Sequence, residues 1–140
     1  MRNAPVIYIV VPCYNEEEVL PLTAEFLGKK LDDLIRSRRI HPGSRVLMVD
    51  DGSKDKTWKL IEEFHEKDER FAGVKLSRNR GHQNALLAGL FEAARRRCDA
   101  AISMDADLQD DVDACDAMIE RYMAGCDIVY GVRRHRTTDT

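Results

Sequence analysis

"VIYIVVPCYNEEE", residues Val6 to Glu18, begins as six apolar residues in a row and ends on three successive carboxylates. A strand with one wet face alternates apolar and polar side chains. A run without alternation, rich in β-branched residues, marks a strand covered on both faces, as in parallel sheets clothed by helices. The rest of the chain repeats the theme. Residues Glu17 to about Arg38 set Leu20, Leu27, Leu31, Leu34 and Ile35 at helical spacing, and "HPG" at His41 to Gly43 stops them. "RVLMVD" (Arg45 to Asp50) reads as a second strand, and Thr57 to about Lys67 as a helix with Trp58, Ile61 and Phe64 on one side. "AGVKLS" follows as a third strand, His82 to Arg97 as a helix, "AAISMD" as a fourth strand, Asp111 to Ala124 as a helix and "DIVYGV" as a fifth strand. Strands alternating with helices predict an α/β/α sandwich, and right-handed crossovers make its central sheet mostly parallel.

The 140 residues are the size of one domain, and 44% hydrophobic with 34% charged residues is ordinary for a folded globular chain. A formal charge of −3 offers no basic field for nucleic acid, so none is expected as a partner. The four cysteines, Cys13, Cys98, Cys115 and Cys126, show no C-x-x-C spacing and sit in or beside apolar stretches, which fits a reducing, cytoplasmic setting. No apolar run approaches the roughly 18 residues of a membrane span. The chain stops at "RHRTTDT", directly after a strand-like segment and without a closing helix, as a fragment would.

Open α/β sheets bind ligands beyond the C-terminal ends of their strands. Each unusual polar cluster here falls at such an end: "PCYNEEE", "DDGSKD", "RNRGHQN", "DADLQDD" and "RRHR". In the fourth, Asp105, Asp107 and Gln109 are two residues apart, so an extended chain points all three the same way. Two carboxylates and an amide oxygen suit a hard divalent cation such as Mg²⁺ or Mn²⁺, with substrate phosphates completing the shell. Asp110, Asp111 and Asp113 suit the cap and first turn of the next helix instead. Asp50 and Asp51 precede a glycine turn, where one carboxylate can face a ribose or base while its neighbour supports the turn, and a Ser or Thr cap follows. Pro12 fixes the exit of the first strand, Tyr14 offers a ring to stack on a base, and Glu16 accepts hydrogen bonds; Asn15 equally suits a helix cap. Arg78 and Arg80 stand just before a glycine that opens a helix, an arrangement for neutralising phosphate, although Arg80 suits a solvated surface and His82 a structural place. Arg133, Arg134 and Arg136 suit a diphosphate or an anionic acceptor, or a basic exposed tail.

In this order, "PCYNEEE", "VDDGSKD", "SRNRGHQNALLAGL", "DADLQDD" and "YGVR" resemble the N-terminal half of a family 2 glycosyltransferase with the GT-A (Rossmann-like) fold. More narrowly they are similar to the polyprenyl-phosphate glycosyltransferases, which include dolichyl-phosphate mannosyltransferase and the bacterial bactoprenol glucosyltransferases. The resemblance spans residues 1–140, read as a nucleotide-sugar-binding domain lacking the acceptor region and any membrane helices. It implies that Pro12, Tyr14, Glu16 and one of Asp50 or Asp51 hold the nucleotide, with Asp51 preferred at the base. It implies that Asp105, Asp107 and Gln109 hold Mg²⁺ or Mn²⁺ against the diphosphate, that Ala106 lines the site, and that Arg133 matches a donor-contacting arginine. One departure stands out: Asp110-Asp111 follows "DADLQ" where many members carry a proline, which alters the helix start and not the ligands.

The implied reaction moves a sugar from a UDP- or GDP-sugar to an acceptor, a polyprenyl phosphate or a growing glycan, at the cytoplasmic face of a membrane with which the full-length protein associates. A lipid phosphate is already ionised near neutral pH and needs no base; a sugar hydroxyl requires a carboxylate, expected beyond Thr140. A nucleotidyltransferase of similar build, or a non-catalytic nucleotide-binding module, is the alternative. The former calls for a Gly-rich, basic loop after the first strand, where "PCYNEEE" is acidic. A phospho-receiver domain needs its acidic pair after strand one, not strand two. A nicotinamide dehydrogenase needs G-x-G-x-x-G, and no P-loop sequence occurs either.

Overall fold

The computed structural model describes residues 4–107 together with Ile119. The predicted helix from Asp111 to Ala124, Ile119 apart, and the predicted strand from Asp127 to Val132 lie outside the described residues, as do Gln109 and Arg133. The elements run β1 (Ile7–Cys13), α1 (Leu20–Arg36), β2 (Arg45–Asp50), α2 (Thr57–Lys67), β3 (Phe71–Lys75), α3 (His82–Arg95) and β4 (Ala100–Ser103). The four strands form one parallel sheet in the order β3-β2-β1-β4. Chain order reverses between β1 and β4, which makes their C-terminal ends the switch point where open α/β sheets hold ligands.

All seven residues of β1 are buried, as the unbroken apolar run requires. Its side chains alternate between two cores. Ile7, Ile9 and Val11 pack with Leu20, Leu27, Leu31 and Leu34 of α1 and Ile61 of α2 on one face, and Ile119 joins this cluster. Tyr8 and Val10 face Ala85 and Ala93 of α3 on the other. Small residues let α3 approach closely: a Cβ on Gly89 would fall 2.4 Å from Val10 Cγ1 and 2.8 Å from Val49 Cγ2.

Register carries the strand ends to one edge. Cys13 pairs with Asp50, and Asp50 with Lys75, so the loops after β1, β2 and β3 leave the sheet side by side. Several boundaries differ from the periodic reading: β3 runs Phe71–Lys75 and not Ala72–Ser77, and β4 stops at Ser103 and not Asp105. β1 continues through Pro12 to Cys13, whose carbonyl still accepts the Asp51 amide at 2.8 Å. α1 begins at Leu20 and not at Glu17, because residues 16–19 first make a turn in which the Glu16 carbonyl accepts the Val19 and Leu20 amides at 3.1 and 2.9 Å.

Candidate functional site

A cleft of about 290 Å³ opens at the C-terminal edge of the sheet, at the switch point. The end of β1 contributes Pro12, the β1–α1 loop Tyr14 and Glu16, and Asp51 follows β2. Asn79, Gly81 and His82 come from the approach to α3, and Asp105, Ala106 and Asp107 from the segment after β4. Seven residues singled out in the sequence are thus brought together: Pro12, Tyr14, Glu16, Asp51, Asp105, Ala106 and Asp107. Asp50 and Arg78 are not on the cleft wall.

The neighbouring aspartates are divided by the strand's alternation. Asp50 is wholly buried; its Oδ1 accepts the Ser53 amide at 3.1 Å, while Oδ2 has no hydrogen-bond partner among the described residues. It supports the turn. Asp51 faces the cleft, and its Oδ1 accepts the Arg80 amide at 2.7 Å, which ties the strand-two edge to the loop before α3. Gly52, at φ +69°, makes the tie sterically possible, since a Cβ there would meet the Asn79 nitrogen at 2.3 Å. The Arg78 side chain points to solvent, and what it contributes to the cleft is the backbone that passes over Gly52.

Asn15 is not a helix cap. It sits at φ +51°, in the left-handed region that Asn tolerates, and its Oδ1 accepts the Lys54 amide at 2.9 Å. Its own amide donates to Ser53 Oγ at 2.9 Å. The next two amides also cross between the loops, Glu16 N–H to Thr57 Oγ1 at 2.9 Å and Glu17 N–H to Asp55 Oδ2 at 3.2 Å. On the other side of the cleft, the buried Thr23 hydroxyl of α1 donates to the Ala106 carbonyl and fixes the segment between Asp105 and Asp107.

Carboxylates dominate the cleft's electrostatics. Burial, and then the charges of Asp107, Asp55 and Asp105, push the Glu16 carboxyl above its usual range. Burial, with Glu16 and Asp50 adding to it, drives the Cys13 thiol far above its usual range, so it is a thiol and no nucleophile at neutral pH. Of the described lining residues only His82 carries a basic side chain. Such a wall suits a hard cation: Asp105 and Asp107 offer oxygen ligands, and a positive charge beside them relieves the repulsion that Glu16 registers. Among the described residues no three His, Cys, Asp or Glu side chains gather closely enough to complete a metal shell alone. The third predicted ligand, Gln109, lies outside them.

Tyr14 is 40% exposed at the mouth of the cleft, leaving its ring accessible to a flat ligand. Reasoning from sequence missed Asn79, Gly81 and His82 as wall residues. The signal available is the glycine after "RNR" at a helix start, which the sequence alone ties to phosphate through Arg78 and Arg80.

Comparison with known proteins gives a consistent set of relatives. The family model for glycosyl transferase family 2 matches residues 8–140. The chain is 51% identical over 139 residues to the uncharacterized glycosyltransferase YkoT of Bacillus subtilis (strain 168), covering 99% of this chain and 41% of that protein. It is 35% identical over 133 residues to the prophage bactoprenol glucosyl transferase homolog of Escherichia coli (strain K12), covering 95% of this chain and 40% of the other. The chain therefore spans about two fifths of the length of these curated relatives. Among solved structures, the mannosyltransferase PcManGT from Pyrobaculum calidifontis, in complex with GDP-Man and Mn²⁺, matches with a TM-score of 0.61 at 24% identity, over 84% of this chain and 32% of that one.

Proposed function

The chain belongs to glycosyl transferase family 2, and from that premise we propose that its cleft holds the nucleoside-diphosphate sugar of a glycosyl transfer to a polyprenyl phosphate. The observation that carries the reading is the convergence of Tyr14, Glu16, Asp51, Asp105 and Asp107 on one cleft at the switch point of a GT-A sheet. Tyr14 stacks on the base, and Asp51 and Glu16 accept hydrogen bonds from base or ribose. Asp50 serves the base only through the turn it supports. Asp105 and Asp107, joined by Gln109, hold Mg²⁺ or Mn²⁺. When bound, that ion supplies Lewis-acid stabilisation of the diphosphate as the bond to the sugar's anomeric carbon breaks. Arg133 adds positive charge near the phosphates.

Relatives at 34–35% identity that are named bactoprenol glucosyl transferases support the lipid acceptor. A phosphate nucleophile is ionised at neutral pH, so no general base is required of this chain. No helix among the described residues is long and apolar enough to cross a membrane. In this reading the reaction takes place at the cytoplasmic face of a membrane, where the lipid phosphate is presented.

Calorimetric titration with UDP- and GDP-sugars, with and without Mn²⁺, tests the proposal. Binding of one donor class is expected only with the metal, and Asp107→Ala is expected to abolish it. Metal-independent binding that survives in Asp107→Ala removes the metal assignment, and no binding of either class removes the nucleotide-sugar reading.

A further inference from the structure

Three consecutive backbone amides, of Asn15, Glu16 and Glu17, have no backbone carbonyl as partner among the described residues and instead donate to side chains of one short segment 38–41 residues away. Ser53 takes the first, Thr57 the second and Asp55 the third. Within that segment the Thr57 hydroxyl and amide both donate to Asp55 Oδ1, at 2.5 and 2.9 Å. Thr57 is wholly buried although it opens α2, and its hydroxyl is not used as a helix cap. The bonds form a directed relay: Glu16 N–H to Thr57 Oγ, Thr57 O–H to Asp55 carboxylate, with the second Asp55 oxygen taking Glu17 N–H. Burial alone would raise the Asp55 carboxyl, but the Thr57 hydroxyl, the Thr57 amide and the Glu17 amide outweigh it and hold the carboxyl below its usual range.

We infer that Asp55 and Thr57 are positioning residues, which clamp the Tyr14–Glu16 side of the cleft against the strand-two edge and so preset the gap into which a nucleotide base enters. The inference rests on the nucleotide-sugar reading of the cleft. The need for a clamp follows from charge. The Glu16 carboxylate lies among the like charges of Asp107, Asp55 and Asp105, and their repulsion pushes on the loop that bears it. The loop has a left-handed residue at Asn15 and its amides 15–17 find no bond within it, so its own backbone holds Glu16 only on the carbonyl side, through the Val19 and Leu20 amides. The tether to Thr57 and Asp55 holds the amide side. Preorganising both walls before the ligand arrives lowers the ordering cost of binding.

Thr57→Val keeps the shape of the side chain and removes the hydroxyl, whereas Thr57→Ser keeps the hydroxyl. UDP and GDP with Mn²⁺ serve as probes in calorimetry, and amide hydrogen exchange is followed residue by residue. Thr57→Val should weaken nucleotide binding about tenfold, as for one buried donor left unpaired, and speed exchange at Glu16 by at least as much. β1 and the rest of the sheet should keep their protection. Thr57→Ser should restore both to within about twofold, a rescue that simple core packing would not predict. Asp55→Asn, nearly isosteric, puts a donor where Oδ2 accepts the Glu17 amide, and should weaken nucleotide binding likewise and speed exchange at Glu17 if Thr57→Val proves too unstable to study. Equal nucleotide binding in parent and Thr57→Val, or a Thr57→Ser variant as weak as Thr57→Val, overturns the positioning role alone. A parent that binds neither UDP nor GDP overturns the nucleotide-sugar reading, and the positioning role with it.

Discussion

Gly52→Ala tests how the two halves of the cleft are held together. Gly52 has φ +69°, and alanine in the left-handed region costs roughly 1–2 kcal/mol. The added Cβ would lie 2.3 Å from the Asn79 nitrogen, 2.4 Å from the Arg78 carbonyl carbon and 2.8 Å from the Arg78 Cα. These are backbone atoms and cannot rotate aside, so the 78–81 segment must retreat by about 1 Å to recover an ordinary contact. That retreat pulls the Arg80 amide from Asp51 Oδ1, a 2.7 Å bond to a carboxylate whose loss costs about 1.5–3 kcal/mol. The sum, about 2.5–5 kcal/mol, is a large share of the 5–15 kcal/mol typical of a domain, and corresponds to a fall in Tm on the order of 10 °C. Gly81→Ala is the control. Gly81 also has positive φ, +93° with ψ 150°, a region essentially reserved for glycine, but a Cβ there meets nothing within 4 Å, so only a backbone cost of about 1–3 kcal/mol applies. Urea unfolding of both variants, followed by circular dichroism, separates the steric part from the conformational part. If Gly52→Ala proved no less stable than Gly81→Ala, the close contact between the strand-two turn and the 78–81 segment would be refuted.

Two further outcomes are expected. Asp51→Asn keeps an oxygen for the Arg80 amide but loses its charge, so its stability should stay within about 1 kcal/mol of the parent while nucleotide affinity falls about tenfold; loss of affinity in Asp50→Asn and not in Asp51→Asn would assign the base contact to the wrong aspartate. Glu92 is held at a pKa of about 2, from an ordinary 4.5, by Arg95 and Arg96, at 2.7 Å each from its Oε2. A depressed pKa stabilises fully above the unfolded value and is lost as pH falls through the folded one. Glu92→Gln should therefore be less stable than the parent at pH 7 by under about 1 kcal/mol, a gap that closes between pH 4.5 and about 2 and shrinks in high salt. A gap that urea midpoints show to be constant over that range would mean that the ion pairs contribute nothing.

What the sequence made legible, and what it hid, divides along a physical line. β2 and α2 have the predicted limits because apolar runs and helical spacing are local signals, set by which side chains must leave water. Tyr14, Glu16, Asp51, Asp105 and Asp107 were legible for a related reason. A strand buried on both faces cannot carry charge along its length, so polar residues crowd at its end, and a parallel sheet brings those ends together. Thr57 and Asn15, by contrast, both looked like helix caps, because a Ser, Thr or Asn before an apolar period has that local meaning. Their partners lie 41 residues away for Thr57 and 38 and 39 for Asn15, and Thr23 reaches the Ala106 carbonyl across 83. No window of sequence contains such a pair. Residues that line the cleft are therefore announced by strand ends, whereas those that hold them in place are chosen by which loops the topology sets side by side. The family was readable because its motifs are the former. The geometry of the cleft, and the affinity that follows from it, depends on the latter, so Thr57 and Gly52, neither of them on the cleft wall, are where substitutions should separate binding from mere presence of the motifs.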